Sequence, residues 1–95
     1  MTFNQLKQLH RKQGYHFFDP RTMTFFRSRV EATRMAANGG LWIVTSEQHD
    51  DTTPRRYTLR LARADGHMST IGNAYTTLAE TKTAMKHHVE LEIVK

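Results

Sequence analysis

The sequence predicts an α+β fold: an antiparallel β-sheet of three to four strands in a meander, with an N-terminal and a C-terminal helix packed on one face. Three observations carry that prediction. Thr2 with Gln5, and Thr77 with Glu80, have the spacing of capping boxes, and each pair opens a stretch of helical periodicity. From Arg55 to Arg63, Tyr57, Leu59 and Leu61 alternate with Arg56, Thr58 and Arg60, the two-residue period of a half-buried strand. Asp65-Gly66 is a strong hairpin signal, so a partner strand from about His67 to Ile71 is expected to pair back antiparallel.

Taken in order, the first helix runs from Thr2 to about Gln13. Phe3, Leu6 and Leu9 form its apolar stripe, and Gly14 is the residue expected just past its end. Tyr15 to Phe18 fits a short strand, Asp19-Pro20-Arg21-Thr22 a turn, and Met23 to Val30 a second strand. In that strand Phe26, Ser28 and Val30 share one face and Phe25, Arg27 and Arg29 the other. Glu31 to Ala37 favours helix by composition and strand by position, and both readings stay open. Asn38-Gly39-Gly40 is a breaker, and Leu41 to Ser46 is the strongest strand of the chain. After the hairpin, Leu78, Met85 and Val89 line one face of the last helix, and Leu91 to Lys95 either prolongs it or lies extended.

The length of 95 residues allows a single domain, 1–95, with one modest core. Zero cysteines exclude a disulfide framework and thiolate chemistry, and no apolar stretch has the length of a signal peptide or a membrane span. A cytoplasmic location is the default expectation. The formal net charge of +5 favours polyanions through long-range attraction. Seven of the nine arginines fall between Arg27 and Arg63, and Arg offers a planar fork suited to phosphate, carboxylate and aromatic faces.

Catalytic and metal chemistry find no support in the spacing. His10, His16, His49, His67, His87 and His88 do not form a ligand set, and adjacent His87 and His88 would point about 100° apart on a helix. Ser28, Ser46 and Ser69 lack a nucleophile-elbow context, and no Gly-rich loop leads into a helix. No cofactor, metal site or enzymatic activity is expected.

Three motifs, Phe17 to Val30 (FFDPRTMTFFRSRV), Gly40 to Glu47 (GLWIVTSE) and Arg55 to Arg60 (RRYTLR), stand in this order. Together they resemble a family of short uncharacterised proteins encoded by phages, prophages and plasmids, over about Phe17 to Ala84. This chain has Thr24 where relatives usually carry a basic residue, and Asn73 and Ala74 where an aromatic is expected before Tyr75. The resemblance implies a mobile-element origin and lends no activity, cofactor or catalytic residue.

If both helices cover the face made by Phe26, Val30, Tyr57, Leu59 and Leu61, the opposite side shows Phe25, Arg27, Arg29, Arg56 and Arg60, with Trp42 as a further candidate. Rings interleaved with guanidinium groups suit protein hot spots and also single-stranded nucleic acid. The same arginines can instead pair with Glu47 or Glu31 and stabilise the sheet. The expectation is therefore a non-enzymatic small binding protein acting through a protein-interaction surface on a host or phage protein. The alternative is a nucleic-acid-binding accessory protein using the Arg and aromatic sheet face.

Overall fold

The computed structural model describes residues 1–94. Its elements are α1 (Phe3–Gln13), α2 (Pro20–Phe25), β1 (Arg29–Met35), β2 (Leu41–Glu47), β3 (Arg56–Ala62), β4 (Met68–Tyr75) and α3 (Leu78–Val94), with a short 3₁₀ turn at Ala37–Gly39. The four strands form one antiparallel meander in the order β1-β2-β3-β4. This is the α+β class the sequence predicts, and Glu31 to Met35 proves to be strand.

The two helices do not share a face. Strand β2 is buried on both sides, so alternate residues feed two separate cores. Trp42 and Val44 pack with Leu59 of β3 and with Met85 and Val89 of α3. Leu41 and Ile43 pack with Ala62 and with Leu6 of α1, beside Phe3, Phe18 and Val30. The reason lies in β2 itself: four consecutive apolar residues, Leu41 to Val44, leave no polar face for water, so each side requires a cover.

The helix ends follow their local chemistry. Thr2 accepts the Gln5 amide at 3.2 Å while the Gln5 side chain accepts the Thr2 amide at 2.8 Å. Gly14, at φ 80°, ends α1, and the amides of Gly14 and Tyr15 return to the carbonyls of Arg11 and His10. At the other end of the chain, Thr77 Oγ1 accepts the Glu80 amide at 3.1 Å. The Glu92 carboxylate near the end of α3 accepts Trp42 Nε1–H at 3.3 Å and so ties that helix to β2. Gly40 is required sterically, because a Cβ there would stand 2.5 Å from the Ala62 carbonyl oxygen.

Of the expected strand over Met23 to Val30, Arg29 and Val30 belong to β1 while Met23 to Ser28 are instead the end of a short helix and a turn, and Tyr15 to Phe18 is not strand. Asp19 caps α2 by accepting the Arg21 amide at 2.9 Å, and Pro20 takes the first helical position, where its missing N–H and fixed φ are no handicap. The helix closes after one and a half turns at Arg27, which adopts φ 52°. The Arg27 and Ser28 amides then satisfy the carbonyls of Thr24 and Met23. Leu91 to Val94 continues α3, while Lys95 lies outside the described residues.

Candidate functional site

The six sequence-predicted binding residues are not gathered on one uncovered sheet face. Phe25 is the last residue of α2, off the sheet and 79% exposed. Arg27 follows it in the turn and forms an ion pair with Asp51. Arg29 opens β1 opposite Ser46, on the α3 side. Trp42 is buried on that same side, beneath α3, where it faces the His88 ring at 5.7 Å. Arg56 and Arg60 do share a face, the α1 side, opposite Glu47 and Ile43 respectively. Of this pair Arg56 is exposed, whereas Arg60 is largely buried in a 3.1 Å ion pair with Glu47. Strand parity failed here because α2 removes Phe25 and Arg27 from the ladder and because the face opposite α3 is itself covered.

What the fold assembles instead is a cleft between the segment joining α1 to β1 and the sheet. Helix α1 covers Leu41 and Ile43, but Thr45, Glu47 and Arg60 extend beyond it. Phe17, Phe18, Thr22, Met23, Phe26 and Ser28 arch over those three residues and enclose a cavity of about 300 Å³. Its floor is a polar network. Arg60 Nε donates to Thr45 Oγ1 at 3.0 Å, Arg60 Nη2 donates to Glu47 Oε1 at 3.1 Å, and the Thr45 hydroxyl donates to the same Oε1 at 2.9 Å. The Phe17 ring lies 5.8 Å from the Arg60 guanidinium, a cation–π arrangement. Glu47 Oε2 is buried and has no hydrogen-bond partner.

A smaller cavity of about 190 Å³ lies on the other side of Phe18, bordered by Lys7, His10, Arg11, His16 and Asp19. His10 is 2% exposed, stacks on Phe18 with ring centroids 5.7 Å apart, and donates through Nε2 to the Gly66 carbonyl at 2.9 Å. Its Nδ1 is therefore a bare acceptor in the neutral ring, and it too is buried without a partner.

Around these cavities the same segment presents an apolar surface. Tyr15, Phe17, Phe25 and Phe26 are 46–79% exposed, and the Phe25 and Phe26 rings meet edge-on at 4.9 Å. Arg21 adjoins Phe25 in a shallow surface depression with Pro20 and Thr24. Of these rings the sequence singles out Phe25, but as a strand residue, and assigns Phe26 to the covered face; Asp19-Pro20 carries the signal of the helix start that places both on α2 and its cap.

The remaining carboxylates that stand out are loop caps. Hydrogen bonds from the Thr53 and Thr52 hydroxyls and amides hold Asp50 down to about 2, and Arg63 with the His67 amide holds Asp65 down to about 2. Among the described residues, no group of three or more His, Asp or Glu side chains is arranged to hold a metal ion.

Residues 2–86 match a family of unknown function, DUF7447. The chain belongs to that family. The DUF7447 match takes in α1, the aromatic segment and the whole sheet, so every residue of the cleft lies within it. No curated protein and no solved structure matches the chain.

Proposed function

We propose that this member of DUF7447 is a non-enzymatic binding protein of mobile-element origin that docks a host or phage protein through the aromatic surface between α1 and β1. The observation that carries the reading is the exposure of Tyr15, Phe17, Phe25 and Phe26 on one short segment. A phenylalanine with four-fifths of its surface in water gains little from folding, whereas the touching Phe25 and Phe26 rings beside Arg21 have the composition of an interface hot spot. The net charge of +5 favours a partner with an acidic face and would speed encounter with it. The resemblance of the three sequence motifs to phage, prophage and plasmid proteins supports the origin.

The test is photo-crosslinking from position 25 in cells, with nuclease treatment, followed by reconstitution with the purified crosslinked protein. The expected result is one partner whose affinity falls at least about tenfold in the Phe25→Ala/Arg21→Glu variant and is unchanged in a remote His67→Ala control. Equal binding by all three proteins would overturn the proposal. Nucleic-acid binding is the alternative reading, favoured by Arg27, Arg29 and Arg55 lining one shallow groove at the start of β1. It requires salt-sensitive retention of RNA or DNA that drops when those three arginines are replaced together.

A further inference from the structure

We infer that the groove at the start of β1 is a carboxylate site for an aspartate or glutamate side chain of the docked partner; this rests on the protein-docking role and names the chemistry recognised beside the aromatic surface. Arg27, Arg29 and Arg55 line the groove with Gln48 and with Met23 and Thr24 of α2. Thr24 also borders the depression that holds Arg21 and Phe25, so one partner segment can cover both.

The three guanidinium groups have different commitments. Arg55 is held through one nitrogen, its Nη1 donating to the Arg27 carbonyl at 2.7 Å and to Ser46 Oγ at 3.0 Å. Its Nε and Nη2 donate to no acceptor among the described residues, so a fixed planar fork keeps open donors. Arg29 is exposed and, among the described residues, has no carboxylate within ion-pair distance. Arg27 already holds a carboxylate, that of Asp51, whose side chain is 90% exposed. The chain's own loop thus shows the kind of anion that this groove accepts. Arg–carboxylate hydrogen bonds are charge-assisted and directional, which suits them to fixing the register of a docked segment.

Neighbouring negative groups favour one inserted acidic side chain over a nucleic-acid backbone. Asp50 adjoins Asp51, and hydrogen bonds from Thr53 and Thr52 hold it down to about 2. Glu31 accepts the Ser46 hydroxyl at 2.8 Å, one hydroxyl away from Arg55. A phosphate backbone is charged at every residue and would have to pass these carboxylates, whereas a single partner carboxylate needs only the open donors of Arg29 and Arg55.

The experiment is an NMR titration of the full chain, read at the Arg Nε–H signals. The probes are the peptide acetyl-Glu-Asp-Phe-Glu-Asp-amide, its Gln/Asn isostere, and single-stranded pentathymidylate of the same charge. Shifts at Arg29 and Arg55 are expected with the acidic peptide, with binding at least about tenfold weaker for the isostere. Arg29→Glu should weaken the acidic peptide about tenfold. Asp51→Asn frees Arg27 and should tighten it about threefold or more, while Glu90→Gln, the same charge change on an exposed position of α3, should alter it by less than about twofold. Equal binding of peptide and isostere, no shift at those arginines at millimolar peptide, or equal effects of Asp51→Asn and Glu90→Gln would overturn the inference. Tighter binding of the pentathymidylate at the same arginines would also overturn it and assign the groove to nucleic acid. Because Arg29 and Arg55 do not line the depression at Phe25, the two ideas fail separately. A crosslinked partner lost on Phe25→Ala/Arg21→Glu but retained by Arg29→Glu would remove the groove and leave the docking surface.

Discussion

Ile43 and Val44 are neighbours in the chain, both 0% exposed, and they point into different cores. If both helices packed on one face, one of these two side chains would meet solvent and its truncation would scarcely matter. In the structure each is surrounded. Ile43→Ala removes three carbon atoms from the α1 side and should cost about 2–5 kcal/mol, the range for fully buried isoleucine or leucine. Val44→Ala removes two from the α3 side, about 1.6 kcal/mol of transfer energy at about 0.8 per methylene, and more once the cavity is counted. A domain of this length has about 5–14 kcal/mol of total stability, so either change is large and both together approach the unfolding threshold. Urea denaturation followed by far-UV circular dichroism measures both, read from the midpoint at constant slope. A loss below about 1 kcal/mol for either variant would refute the three-layer packing, because it would mean that one side of β2 is not a core.

Three further outcomes follow from particular contacts. Arg27 holds φ 52° at the end of α2, so Arg27→Gly should leave stability within about 1 kcal/mol of the parent, while Arg27→Val should lower it by about 1 or more; thermal or urea unfolding distinguishes them. The Asp50 carboxylate should titrate near 2 by NMR and return towards 3.8 in Thr52→Ala/Thr53→Ala. Its folded value lies below its unfolded one, so its contribution to the 50–53 loop is complete above pH 3.8 and fades as the pH falls through about 2. Glu92→Ala removes the acceptor of Trp42 Nε1–H, and Trp42 fluorescence together with faster amide exchange in the last turn of α3 should report that helix end loosening.

The elements legible in the sequence are those whose signals are local. Thr2 with Gln5 and Gly14 bracket α1, the alternation around Leu59 marks β3, and Asp65-Gly66 sets the hairpin. The reading went astray where two local rules competed. Phe25, Phe26, Arg27, Ser28 and Arg29 alternate well enough for a strand, but Asp19-Pro20 starts a helix upstream and leaves too few residues for that strand before Arg29. The end of α2 was equally hard to see, since an arginine rather than a glycine takes the left-handed position. Helix placement is a tertiary matter, although β2 held a clue: a continuous apolar run marks a strand buried on both faces, whereas the alternation in β3 marks one.

The candidate site follows from that misplaced helix. Once α1 lies opposite α3, the α1 face needs more cover than an 11-residue helix with Leu6 and His10 as its buried residues provides. Phe18 supplies part of the remainder by packing beside Phe3 and His10, and the chain continues over Thr45, Glu47 and Arg60 as α2. A short helix capped by Asp19 and closed by Arg27 cannot bury Phe25 or Phe26 and also roof the sheet tightly. The result is a seam in which a polar floor stays partly unsatisfied while large rings remain outside. Ser28→Leu would occupy the seam with the protein's own apolar side chain. That substitution should therefore preserve or raise stability by replacing empty space with apolar contacts, as urea denaturation would show. If Ser28→Leu instead destabilised the fold by more than about 1 kcal/mol, the cleft would be too tightly packed to hold an added side chain.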